Sequence, residues 1–345
     1  MKQVIGVGIV GTGLAFQAIH ACRLASMTAD FAVRAVWDPD CGRADAAGQW
    51  LGARVATDCE DLFADPDVDV VVLASPARFH AEQAIAAINA GKRAVLVEKP
   101  LCATPEEADA IARAALERGV ALLVGAMHLH DPAWLASEAL LEDNSFAPAM
   151  VRSSIILPPN ARFEEWSTEP LLPVAAQPTA RTFAPADLIR LCVLELAIHD
   201  LPMVRRLLPP GVEPRVVSAR LRQPFGYAIS LVAGDVLVDL TCTVHGHWQT
   251  DWTLEAVGPA GRLKLDFTPS FVDAGSGSMT WQDKQGLRGH ASSDENGYYG
   301  QWQAIAAMLR AERALPDPFA AAGDFRFAHA IAEQASELIA AEAFA

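Results

Sequence analysis

A chain of 345 residues, 52% of them apolar and 20% charged, carries enough apolar mass for about two globular domains. Its 27 basic against 42 acidic residues leave a net charge of −15, which excludes a nucleic-acid partner, because that binding needs a basic face. Six cysteines without a C-x-x-C pair, no signal-peptide pattern and no apolar run of roughly 18 residues lead to the expectation of a cytoplasmic protein with no membrane partner.

The first 125 residues alternate short apolar runs with helical patterns. The runs are Val4–Val10, Ala32–Trp37, Val68–Ala74, Ala94–Val97 and Ala121–Gly125. They are apolar without alternation, as in parallel strands buried on both faces. The helical segments between them have legible ends. Thr104-Pro105-Glu106-Glu107 predicts a capping box with proline at the first helical position, and Gly119 predicts the stop. Strand and helix alternating in this way predict a doubly wound parallel α/β sheet of the Rossmann type over residues 1–125.

Beyond about residue 150 the pattern changes. Met150–Leu157, Arg215–Leu221, Tyr227–Val232, Val236–Val244 and Arg262–Phe267 are richer in β-branched residues. Gly234-Asp235 and Gly258-Pro259-Ala260-Gly261 read as turns between them. Residues 126–345 are therefore expected to form an α+β domain with a large, mainly antiparallel, open-faced sheet. Its terminal helices, near Gln301–Leu309 and Phe325–Ala343, are candidates to pack back on the first domain. The proline-rich stretch Pro158–Pro185 reads as a long functional loop, in which Phe163 and Trp166 are candidates to stack on a substrate ring.

The first strand runs into Gly11-Thr12-Gly13-Leu14-Ala15-Phe16. Gly11 and Gly13 permit a tight turn and let backbone N–H groups approach a pyrophosphate at a helix start. Phe16 takes the place of the third glycine of the usual fingerprint. Asp38, at the end of the second strand, is placed to accept from the ribose hydroxyls of an adenosine, which favours NAD. Arg43 is near enough in sequence to hold a phosphate, so NADP stays open. Ser75-Pro76-Ala77-Arg78-Phe79-His80 ends one strand, and Glu98-Lys99-Pro100 ends the next. In a doubly wound sheet both fall at the carboxyl edge, where ligands bind. The Lys99–Pro100 bond is one place where a cis peptide is inexpensive.

Together, G-x-G-x-x-F, DPDVDVVVLASPARFH and VEKPLCATPEEA resemble the glucose–fructose oxidoreductase/inositol dehydrogenase (Gfo/Idh/MocA) family, closely over the first 132 residues and more loosely beyond. The resemblance implies an NAD(P)-dependent dehydrogenase or reductase acting on a hydroxyl or carbonyl carbon of a small-molecule sugar, polyol or cyclitol. It implies that Lys99 is the active-site lysine and that Ser75, Pro76, His80 and Glu98 belong to the cofactor wall. It also implies an acid and a histidine four residues apart on one helix face, here Glu195 and His199. His199 would then be the general base, Lys99 its electrostatic partner on the hydroxyl, and Glu195 the holder of a neighbouring hydroxyl. A homo-oligomer, dimer or tetramer, through the open sheet is the expected assembly.

Several positions depart from that pattern. Glu195 replaces the usual aspartate, Ala197 a glycine and Leu129 an arginine, with His128 and His130 available for polar work nearby. Pro202 is expected to kink the helix that carries His199. His245-Gly246-His247-Trp248 lacks a supporting ligand pattern, so no metal is expected. These departures leave room for a non-sugar carbonyl or diol as substrate, or for a dinucleotide-sensing regulator without catalysis.

Overall fold

The computed structural model describes residues 3–144, 146–158, 183–244, 249–270 and 274–342. The loop expected over 158–185, with Phe163 and Trp166, lies almost wholly outside these, as does His245–Trp248. The chain divides into two compact units. Among the described residues, the first comprises those of 3–125 and 301–325, and the second those of 126–300 and 326–342.

The first unit is built on six parallel strands: β1 (Ile5–Val10), β2 (Phe31–Trp37), β3 (Arg54–Val55), β4 (Val70–Leu73), β5 (Ala94–Val97) and β6 (Ala121–Val124). Their order is β3-β2-β1-β4-β5-β6. The chain moves outward from β1 in one direction and then returns to its other side, so the topological switch falls between β1 and β4. Every residue of β1, β4 and β5 is buried, which explains why their sequences show no alternation. The turn that leads into β4 passes close to β1 at a glycine. A Cβ on Gly6 would stand 1.7 Å from the Asp67 carbonyl oxygen, so no other residue fits there. The helix Pro105–Arg118 has the capping box of Thr104 and Glu107, and it ends on Gly119 at φ +63°.

The second unit has eight strands: β7 (Met150–Leu157), β8 (Arg215–Leu221), β9 (Gly226–Ala233), β10 (Val236–Val244), β11 (Asp251–Gly258), β12 (Gly261–Asp266), β13 (Ser278–Asp283) and β14 (Gly286–His290). Their order is β14-β13-β12-β11-β7-β10-β9-β8. All neighbours are antiparallel except β7 and β10, which run parallel from Met150↔Leu237 to Leu157↔Val244. One face is buried, as the alternation along β10 and β11 records. Trp252, Leu254, Trp281, Tyr227 and Leu240 on that face share a core with the helices Pro185–Glu195 and Leu201–Leu207.

All six cysteines are free thiols. Cys102, Cys192 and Cys242 are buried, Cys22 and Cys59 half-buried, and Cys41 exposed. Burial pushes the Cys59 thiol up to about 11, Cys102 and Cys192 up to about 12, and Cys242 higher still. No helix among the described residues is long and apolar enough to cross a membrane.

Candidate active site

In the first unit, the loop after β1 carries two glycines in different settings. Gly11 sits at φ +90°, and a Cβ there would stand 2.7 Å from the Ala74 carbonyl group. At Gly13 a Cβ would meet nothing within 4 Å, so the space above the loop is open. Leu14 and Ala15 begin the helix, and Phe16 turns inward, fully buried, with its ring edge-on to Trp50 at 6.3 Å. The position of the missing third glycine therefore belongs to the core.

Asp38 is bound to this loop. Its Oδ2 accepts from the Thr12 backbone N–H at 2.8 Å and from the Thr12 hydroxyl at 3.1 Å. Its Oδ1 accepts from the Asp40 N–H and from Arg43 Nη2, both at 2.8 Å. Burial alone would raise its pKa, but the Arg43 guanidinium and the two backbone N–H groups outweigh that and hold the carboxyl below its usual range. Arg43 also pairs with Asp40 at 3.2 Å, so its charge is directed at acids of its own turn. The open space at Gly13, the forced turn at Gly11 and a carboxylate anchored beside them fit a dinucleotide.

Ser75 and Pro76 follow β4, and Ser75 Oγ lies 2.5 Å from Gln83 Oε1. His80 is buried, with Nε2 2.7 Å from the Ser75 carbonyl oxygen and Nδ1 2.8 Å from that of Pro100. It thus ties the end of β4 to the end of β5. Glu98 closes β5 and points inward, while Lys99 is half-buried and precedes a cis peptide to Pro100. Burial opposes the Glu98 charge, but the hydrogen bond and charge of His20, with Lys99 beside it, hold its carboxyl below the usual range.

In the second unit, His199 does not share an α-helix with Glu195. The helix stops at Glu195, Leu196 bends away (φ −115°, ψ −57°), and His199 ends a short 3₁₀ turn. The four-residue spacing therefore does not stack the two side chains on one helical face. Pro202 is likewise no kink. A new helix starts at Leu201, and Pro202 stands in its first turn, where the missing N–H has no helical acceptor to lose.

The buried turn is locked by Asp200, whose carboxylate is fully enclosed. Ser153 Oγ donates to its Oδ2 at 2.6 Å, Trp252 Nε1 donates to both oxygens at 2.8 and 3.0 Å, and His128 Nδ1 lies 3.1 Å from Oδ1. The His199 ring packs edge-on to Trp252 (5.5 Å, 81°) and tilted against His128 (6.1 Å). His128 stacks on Phe267 with centroids 4.1 Å apart. Leu129 faces the apolar core. Asp200, Ser153 and Trp252 were not among the residues singled out from sequence. The available signal was an acid inside an apolar run, directly after His199.

A glycine loop at the switch point of a parallel sheet, an anchored acid at the end of β2 and a lysine at the end of β5 define a dinucleotide-dependent oxidoreductase. Residues 5–126 match the family model described as an oxidoreductase family with an NAD-binding Rossmann fold, Gfo/Idh/MocA. The chain is 31% identical over 304 residues to an inositol 2-dehydrogenase of Saccharopolyspora erythraea, covering 79% of this chain and 82% of that protein. The fold matches a UDP-N-acetylglucosamine 3-dehydrogenase from Acidithiobacillus ferrooxidans with a TM-score of 0.74, at 18% identity over 98% of this chain and 100% of that one. It also matches a 3-ketoreductase from Actinomadura kijaniata solved with NADP, with a TM-score of 0.71 at 20% identity over 95% and 97% of the two chains. The chain belongs to the Gfo/Idh/MocA family and is an NAD(P)-dependent oxidoreductase acting on CH–OH groups.

Proposed function

We propose that the substrate is a cyclitol or related polyol, oxidised at a ring hydroxyl with NAD as the cofactor. The observation that carries this reading is the turn bearing His199, which Asp200 fixes among His128, Ser153 and Trp252. A rigidly held imidazole suits proton abstraction from an alcohol, since histidine titrates nearest neutral pH. The likeness to inositol 2-dehydrogenases supports a polyhydroxylated ring.

In this reading the glycine loop and Asp38 hold the dinucleotide, with Ser75, Pro76 and Glu98 in its wall. When bound, the nicotinamide supplies the hydride acceptor. Lys99 holds the reacting hydroxyl through its ammonium and lowers its pKa. His199 takes the hydroxyl proton, and Glu195 holds an adjacent hydroxyl. His128, whose ring lies beside that of His199, contributes to the substrate pocket.

The test is a panel of cyclitols, sugars, nucleotide sugars and aromatic diols with NAD and NADP, followed at the nicotinamide absorbance band. The expected result is reduction of NAD by a cyclitol or polyol. Turnover with aromatic diols alone would move the substrate class, and tight NAD binding with no turnover on any arm would favour a sensing role.

We also place the protein in the cytoplasm, as six free thiols fit a reducing compartment, and we propose a homo-oligomer. The outward row of β10, with Leu237 and Thr241 exposed, lies beside Met150, Arg152 and Ser154 of β7 on the open face of the sheet. Leu237→Arg is expected to lower the mass measured by light scattering to that of a smaller species. A wild-type chain already monomeric removes the assembly.

A further inference from the structure

The helix after the glycine loop is not regular. Phe16–Ala21 forms a π-helical stretch, every residue of it buried, before the α-helical turn Cys22–Ser26. Such widened turns recur at functional sites, because the extra residue re-aims a side chain. Here the side chain is His20, which is fully buried and belongs to no part of the cofactor or substrate reading.

His20 Nε2 lies 2.9 Å from Glu98 Oε1. A carboxylate only accepts, so this nitrogen carries the proton. The ring is held edge-on to Trp302 at 5.9 Å, and Trp302 packs in turn on Phe31 at 4.9 Å. The other Glu98 oxygen accepts from the backbone N–H of Lys99 at 3.2 Å. Gly125 closes the remaining side, since a Cβ there would stand 2.7 Å from Glu98 Oε2. The carboxylate is thus held by an imidazole and by the amide of the lysine itself, beside a glycine whose missing side chain makes room for it.

We propose that His20 is a positioning residue of the reaction. Through Glu98 it fixes the backbone from which Lys99 projects, and so ties the glycine-loop helix to the catalytic lysine. The inference rests on the role assigned to Lys99 above. It adds that the lysine is aimed by a buried imidazole–carboxylate pair.

Two variants separate positioning from packing. His20→Phe keeps a ring against Trp302 and loses the donor. His20→Gln places an amide N–H near the position of Nε2. The first readout, hydrogen exchange at the Lys99 amide without any ligand, needs no activity. His20→Phe is expected to accelerate it roughly tenfold or more. The second readout is kinetic. His20→Phe should lower kcat by roughly tenfold or more with NAD affinity near wild type, and His20→Gln should recover most of both effects.

Glu98→Gln is the companion variant should His20→Phe not fold. The amide oxygen can still accept from the Lys99 N–H. The amide NH2 meets Nε2 only if the imidazole proton moves to Nδ1, a buried nitrogen with no acceptor among the described residues, so the pair is weakened while the volume is kept. Unchanged Lys99 exchange in His20→Phe, or equal damage in His20→Phe and His20→Gln, overturns the proposal. Faster exchange with unchanged kcat also overturns it. In that case Lys99→Ala decides whether the lysine's own role stands: if that variant is inactive the role holds, and if it is fully active the role falls as well.

Discussion

Lys99→Ala and His199→Ala are each expected to lower kcat by roughly a hundredfold or more, the usual contribution of a positioned acid–base group. NAD affinity should stay close to wild type in both, because the loop around Gly11, Gly13 and Asp38 is left intact. Lys99 is half-buried at the carboxyl edge of β5, and in the proposed mechanism its loss removes the charge that favours the alkoxide. His199 is almost fully buried beside Trp252, and in the proposed mechanism its loss removes the proton acceptor. If both serve one hydroxyl as proposed, the double variant should lose less than the product of the two single losses. Steady-state kinetics with a titration of NAD binding checks this, and full turnover in either variant removes that residue from the mechanism.

Asp200→Ala is expected to destabilise the second unit by about 3 kcal/mol or more, because it removes the common acceptor of three buried donors. Its removal strands the Ser153 hydroxyl, the Trp252 N–H and the His128 N–H in a place water does not reach. Each orphaned donor costs about 1–3 kcal/mol. Asp200→Asn keeps the volume and one acceptor oxygen, and should fall between alanine and wild type. Urea unfolding of the three proteins measures the order. Wild-type stability in Asp200→Ala would mean that the network does not hold the turn.

The parts of this molecule legible in sequence are those made by neighbours along the chain. The β1 loop, the capping box at Thr104 and the turn at Gly234-Asp235 each depend on a few consecutive residues. The strands β3, β11, β13 and β14 were not legible. The residues of β3 and β14 are mostly exposed and carry no apolar pattern, whereas β11 and β13 alternate buried with half-buried polar residues in too short a stretch to stand out. The break at Leu196 was hidden for a different reason. The apolar run continues through it, and an i, i+4 spacing looks the same whether the backbone stays helical or not.

Long-range polar partners were the hardest to read. His20 meets Glu98 across 78 residues, and Asp200 meets His128 across 72 and Trp252 across 52. No local period carries such pairs, since each exists only after two separate segments have packed. Asp38 shows both cases at once. Its place at the end of β2 was readable, whereas its four donors from Thr12, Asp40 and Arg43 were not.

The distribution of thiols gives the protein a built-in attachment point. Burial keeps Cys59, Cys102, Cys192 and Cys242 from ionising near neutral pH, Cys22 is half-buried with its thiol directed at the Gln17 carbonyl oxygen, and Cys41 stands open to solvent. A maleimide dye on the native chain will therefore react first at Cys41, the residue that follows Asp40 at the start of the helix Cys41–Leu51. A fluorophore there rides on the same turn as Asp38 and Arg43, so its emission can follow the arrival of a dinucleotide without an engineered tag.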